Sequence, residues 1–417
     1  MTASSPVTAS HPLRMSEVLS QGHSAEALRG VTIVHAATSA NMLTAFGRVM
    51  SERLTEEGAD LYLVASSRPI YGRPADTQEL AAMGGMPITL PLDNNLRPWN
   101  VVTNTYRFWR LLRRLRPSVV HTRASVMGIV GRLAAWLARV PCVVHHQDDL
   151  YAREERLSPR KRRLAATVER WFANRSDCTF VVSDAVAEIA AQIGFDTTKV
   201  VNVGHDLSKP IRDGAGTPRP QRSEVPRLNA LGITEDHFLI GAVTRLEAHK
   251  GVDTLVRAAA RVVSDNSQAR FLVRGRGPEK AALHRIIAEH GLSDRFFLVD
   301  DWLSDRMLVE LYKSFDLFAL PTRREGFGMA FAEAMLLGVV PVAPDIPPVN
   351  EVVRPDTGLL VPATETGFAE AILWAMRHPD DLAELRRNAM TTAEARWGGT
   401  RAADAVLDTY KTLLATD

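Results

Sequence analysis

From residue 31 onward, short β-branched runs alternate with amphipathic stretches. VTIVHA at 31–36 precedes an apolar-periodic segment near 42–56, which is followed by DLYLVAS and later by SVVHT, CVVHH and TFVVS. Short apolar runs mark strands and a 3.6-residue period marks helices, so the alternation predicts βαβ units and a parallel sheet. The rhythm stops at GHDLSKPIRDGAGTPRPQRSEVPR, residues 204–227, which is dense in Gly, Pro and charge and has no hydrophobic period. It then restarts with FLIGAVTR, RFLVRG, FFLVD, LFALPT and VVPVAP. Two such series predict an α/β chain with two Rossmann-like domains. The expected organisation is a flexible tail at 1–29, a first domain at 30–205, a linker at 206–227, a second domain at 228–396 and a terminal helix at 397–417.

Composition narrows this picture without changing it. A chain of 417 residues with 46% hydrophobic and 24% charged residues has the makeup of an ordinary globular enzyme and is long enough for two cores. A net charge of +2 supplies no global field toward nucleic acid, and no nucleic-acid partner is expected. Cys142 and Cys178 lie in apolar runs without metal-ligand spacing, which fits buried thiols in a cytoplasmic protein. The first 29 residues lack the apolar run of a signal peptide, and Met15 offers a second start. Charge does cluster locally. YRFWRLLRRLR at 106–116 carries five arginines and no acid, and residues 151–175 hold eight Lys/Arg against three Glu. Each stretch reads either as a solvated helix face or as a peripheral contact with the inner face of a membrane.

The stretch REGFGMAFAEAMLLGVVPVA, residues 324–343, carries the most chemistry. It predicts strand Leu317 to Leu320, a loop to Gly326, and a helix from about Gly328 to Leu337 ended by Gly338. Ligands of open parallel sheets bind beyond the carboxyl ends of the strands, where this loop lies. A helix N-terminus with glycines at 326 and 328 suits a phosphate. A carboxylate would compete with that phosphate, so Glu325 in the loop and Glu333 on the second turn are expected to face hydroxyl groups. A nucleotide-sugar presents hydroxyls at both ends and a pyrophosphate between them. Its charge calls for cations, and TRLEAHKG at 244–251 offers Arg245 and Lys250 after another strand end.

TRLEAHKG, RGRGPEK, LPTRREGFGMAFAEAMLLGVVPVA and EVVRPDTGLLVP, in that order, resemble the C-terminal half of family 4 retaining glycosyltransferases of GT-B fold. The resemblance covers roughly residues 235–365, and VTIVHAATSA, RLRPSVVHTRA, GRLAAWLARVP and FVVSDAVAEI extend it more loosely. It implies two Rossmann-like domains facing a central cleft, with the C-terminal helix crossing back to the N-terminal, acceptor-binding domain. It gives Arg245 and Lys250 the donor diphosphate, Glu325 the transferred sugar and Glu333 the ribose, with backbone N–H groups from Gly326, Phe327, Gly328 and Met329. A cleft histidine falls at His146, with His145 and Gln147 as alternatives in register. Two departures stand out: TSANML at 38–43 lacks glycines usual after the first strand, and Asp301 stands where glycine is common near the nucleobase.

The expected reaction moves a hexose from a nucleoside diphosphate sugar, a UDP-sugar, to an acceptor hydroxyl or amine, and the resemblance implies retention of configuration. The acceptor is a lipid carrier, a glycan or a small metabolite. No cofactor and no metal are expected, because the paired aspartates Asp148–Asp149, Asp300–Asp301 and Asp380–Asp381 lack the one-residue spacing of a metal-binding D-x-D. Two rival readings are a nucleotide-sugar epimerase, which would convert donor without acceptor, and a non-catalytic binding subunit.

Overall fold

The computed structural model of the chain describes residues 28–68, 76–154 and 157–415, so the tail expected at 1–29 lies outside the described residues except for its last two. Leu28 is not tail-like: it is buried in a hydrophobic core. The chain divides into one unit of Met1–Asp206 with Thr400–Asp417 and another of Leu207–Gly399.

In the first unit, β1 (Thr32–Ala37), β2 (Asp60–Ser66), β3 (Met86–Leu90), β4 (Val119–Arg123), β5 (Cys142–Gln147), β6 (Cys178–Val181) and β7 (Val200–Asn202) form a parallel sheet in the order 3-2-1-4-5-6-7. Strands β1, β4, β5 and β6 are buried almost throughout, as expected of a sheet covered by helices on both faces. One face packs Leu43, Leu54, Phe180 and, from the terminal helix Arg401–Ala415, Val406 and Tyr410. The other packs Phe108, Leu112 and Ala134 from helices Pro98–Leu115 and Ser125–Ala138. The segment expected as a single helix at 42–56 is two helices, Ala40–Phe46 and Arg48–Glu56, interrupted at Gly47.

In the second unit, β8 (Phe238–Val243), β9 (Ala269–Arg274), β10 (Phe296–Val299), β11 (Leu317–Ala319), β12 (Val340–Pro344) and β13 (Leu359–Val361) form a parallel sheet in the order 10-9-8-11-12-13. Strand order reverses between β8 and β11 here and between β1 and β4 in the first sheet. The carboxyl ends of such strand pairs are where crevices for ligands open.

The segment expected as a loop linker carries helices Lys209–Ala215 and Pro226–Ala230 and belongs to the second unit. One of its charges is anchored, not solvated. Arg222 is buried, donating to Thr234 O at 3.0 Å and Ser314 O at 3.1 Å and pairing with Asp316. Lys313 donates to Gly214 O at 2.8 Å. These polar ties replace a hydrophobic period. The terminal helix begins at Arg401, because Gly398 caps a separate helix Pro379–Trp397. Among the described residues, no helix is long and apolar enough to cross a membrane.

Candidate functional site

The loop after β8 and the loop after β11 meet at the switch point of the second sheet, and backbone contacts fix them together. Arg323 N donates to His249 O at 2.7 Å, and Thr322 Oγ1 donates to the same carbonyl at 3.2 Å. Gly251 ends the first loop at φ +69°, and a Cβ there would lie 1.9 Å from Pro321 O, so only glycine permits the approach. Gly277 is held the same way against Leu246 O, at 2.1 Å from an added Cβ. Between RGRGPEK as a ligand loop and as a plain turn, this contact supports a packing role.

This closure brings Lys250 to Glu325. Nζ lies 2.7 Å from Oε1, and both side chains are nearly buried, at 13% and 12% exposure. Arg245 points outward, 55% exposed, and pairs with Glu247 at 2.6 Å. His249 between them is pushed down to about 4 by burial and by the neighbouring Lys250 charge, so it is neutral at physiological pH. Gly326 and Phe327 lead into helix Met329–Leu336, whose N-cap Gly328 sits at φ +103°. The Phe327 ring stacks edge-on against Trp397, 5.9 Å between centroids, and fixes the turn from behind. Phe331 N donates back to the N-cap Gly328 O at 3.0 Å, and the earliest N–H groups of such a helix lie ahead of any intrahelical acceptor.

Glu333, one turn further, accepts from Tyr312 Oη at 2.7 Å. Burial raises this carboxyl to about 7, with the tyrosine hydrogen bond pulling the other way. The tyrosine partner comes from helix Asp305–Ser314, and nothing in the local E-x7-E pattern announces it. Beside it, Arg274, Val299, Leu303, Met307 and Leu311 line a concavity at the ends of β9 and β10. Asp301, expected near a nucleobase, forms an ion pair with Arg227 at this concavity.

The first unit has its own polar cluster at its switch point. His35 from β1 and His121 from β4 lie 4.7 Å apart, His146 from β5 is 5.6 Å from His121, and His205 is 6.0 Å from His146. All four rings are buried. His121 Nδ1 shares a hydrogen bond with Tyr410 Oη. Arg123, also fully buried, donates from Nε to Asp148 Oδ2 at 3.0 Å and from Nη1 to Phe46 O at 3.0 Å. Burial first, and then the Arg123 charge, pushes His35 and His205 down to about 3, so these rings are neutral. Among the three candidates at the β5 end, His145 is bonded to Thr122 Oγ1 at 2.9 Å and Gln147 Oε1 at 3.1 Å. His146 has both ring nitrogens buried with no hydrogen-bond partner. Among the described residues, no group of three or more His, Cys, Asp or Glu is placed to hold a metal ion.

Of the residues read from the sequence, Arg245, Lys250, Glu325, Gly326, Phe327, Gly328, Met329 and Glu333 belong to the second unit, and His146 belongs to the first. Sequence reasoning missed Tyr312, Arg123 and the file of imidazoles. The register His35↔His121 and Arg123↔His146 is a property of strand pairing.

Comparison with known proteins agrees with this geometry. Residues 227–392 match the model of glycosyl transferases group 1, and residues 44–204 match the glycosyl transferase 4-like domain. An alpha-D-kanosaminyltransferase of Streptomyces kanamyceticus is 24% identical over 72% of this chain and 78% of its own. A D-inositol 3-phosphate glycosyltransferase of Gordonia bronchialis is 28% identical over 70% of this chain, and the match spans 65% of that relative's length. The Anabaena protein HepE, solved with UDP and glucose, superposes with a TM-score of 0.75 at 18% identity, covering 92% of this chain and 99% of its own. The two glycosyltransferase models cover the second sheet and β2 to β7 of the first, and the fold is shared with GT-B structures. The chain therefore belongs to the family 4-like glycosyltransferases of GT-B fold.

Proposed function

We propose that this glycosyltransferase moves a hexose from a UDP-sugar to a hydroxyl or amine of its acceptor, with retention of configuration and without a metal ion. The observation that carries this reading is the Lys250–Glu325 pair, 2.7 Å apart at the switch point, directly before a helix N-terminus. Breaking the bond between the anomeric carbon and the diphosphate oxygen sends its electron pair to the diphosphate. Lys250, Arg245 and the N–H groups of Gly328 and Met329 stabilise that growing charge, and preorganised electrostatics of this kind is the largest contribution in many enzymes. The acceptor oxygen bonds to the anomeric carbon on the face that the diphosphate leaves, and its proton passes to a leaving phosphate oxygen. Glu325 orients the sugar through its hydroxyls, and Glu333 accepts from the ribose. The Anabaena neighbour, solved with UDP and glucose, supports UDP as the nucleotide.

Replacing Glu325 tests the assignment. Glu325→Ala is expected to bind UDP within a few-fold of wild type in calorimetry and to lose transfer of radiolabelled sugar. Equal transfer by the variant would remove Glu325 from the reaction.

A further inference from the structure

Helix Pro98–Leu115 presents a second surface that the donor chemistry does not use. Its inner side, Asn104, Thr105, Phe108 and Leu112, is buried. Its outer side is apolar where a solvated helix is ordinarily polar: Trp99 is 74% exposed, Val102 59% and Tyr106 58%. At about 100° per residue, positions 99, 102, 106, 110 and 113 fall on one stripe about 80° wide and about 21 Å long. Arg110 and Arg113 therefore extend the line begun by the two aromatic rings, and both are exposed. Single exposed hydrophobic residues need no explanation, but three along one stripe do.

Charge points the same way. Residues 97–116 contain six arginines, none of them buried, and no acidic residue, in a chain whose net charge is only +2. Helix Ser125–Ala138 packs beside this helix, and its Trp136 meets Trp171 of helix Pro159–Ala173 at 5.6 Å. The opening turns of that third helix, Arg160 to Leu164, are exposed at every position, with Leu164 at 64%. A second basic segment with an outward leucine thus stands on the same unit.

We propose that the Trp99–Arg113 stripe docks on an anionic phospholipid surface, with Trp99, Val102 and Tyr106 entering the headgroup layer and Arg110 and Arg113 meeting lipid phosphates. Trp and Tyr rings favour that layer because one part of each is apolar and another polar. An amphipathic helix lying in the interface makes this contact. Each basic residue at an anionic surface contributes about fivefold in partition at moderate salt.

Sedimentation of the full chain with vesicles of phosphatidylcholine, with and without phosphatidylglycerol, tests this. The chain should sediment with the anionic vesicles and lose that binding at high salt. Arg110→Glu with Arg113→Glu should lower partition at least tenfold, and Trp99→Ser several-fold, with Tm and transfer to a soluble acceptor unchanged. Equal sedimentation with both vesicle types, or equal sedimentation of wild type and variants, would overturn the proposal. So would displacement of the anionic vesicles by RNA at matched phosphate concentration, because that outcome would assign the face to polyanions in general.

Discussion

The two switch points of this molecule solve the same problem with opposite electrostatics. At the ends of β8 and β11, Lys250 and Glu325 form a nearly buried ion pair, 2.7 Å from Nζ to Oε1. At the ends of β1, β4 and β5, stacked imidazoles are neutral, enclosed and unbonded at several nitrogens, with the charge of Arg123 held by Asp148. The β8–β11 edge thus presents an ion pair before a helix N-terminus, and the β1–β4–β5 edge presents neutral rings beside the buried Arg123 and its Asp148 partner.

Removing the cation should break this contrast most severely. Lys250→Ala is expected to lower kcat on the order of a hundredfold or more, since one preorganised electrostatic partner contributes about 3 to 4 kcal/mol. Arg245→Ala should follow with a smaller loss, because its side chain is 55% exposed and screened. Steady-state kinetics on saturating donor checks both.

Geometry comes next. Gly251→Ala forces a Cβ into Pro321 O at a left-handed backbone position, and should destabilise the second unit by on the order of 2 to 3 kcal/mol and weaken nucleotide binding with it. Chemical denaturation with and without UDP measures both effects.

The neutral edge responds to acid instead. His35 and His205 stay neutral in the folded chain down to about 3, whereas the unfolded chain protonates its histidines near 6.5. Between those values the unfolded state binds more protons, so this stabilisation is complete above about 6.5 and is lost as pH falls. Each such ring contributes a slope of up to about 1.4 kcal/mol per pH unit. Tm should fall between pH 7 and pH 5, and His35→Asn should flatten the fall. An equal slope in the variant would remove His35 from the effect.

The smallest effect belongs to Glu333. Its carboxyl is raised to about 7, and in the proposed donor complex the ionised form is the one that accepts from the ribose hydroxyls. UDP affinity should therefore strengthen several-fold from pH 6 to pH 8, and Glu333→Gln should abolish the trend. Calorimetry across that range gives the answer.

The sequence showed long, β-branched strands well, and both sheets follow from them. It hid β3, β7 and β13, because three to five residues with a proline or a turn beside them carry too little period. The anchored segment 206–227 read as linker because Arg222 and Lys313 stabilise it through carbonyl contacts distant in the chain, not through an apolar face. In the site, Lys250, Glu325 and Glu333 were legible because each lies within a short motif at a strand end. Tyr312, Arg123 and the imidazole file were not, since their roles arise from register and from helices far apart in sequence.

Everything proposed for the β8–β11 edge requires that it bind a nucleoside diphosphate sugar. A thermal-shift panel of UDP-, GDP-, ADP- and TDP-sugars tests it most directly. Ligand at about a hundred times its Kd adds about 2.7 kcal/mol, so UDP-glucose or a related UDP-hexose should raise Tm by several degrees in the wild type and far less in Lys250→Ala. No shift with any of the four sugars, or an equal shift in the variant, would contradict it.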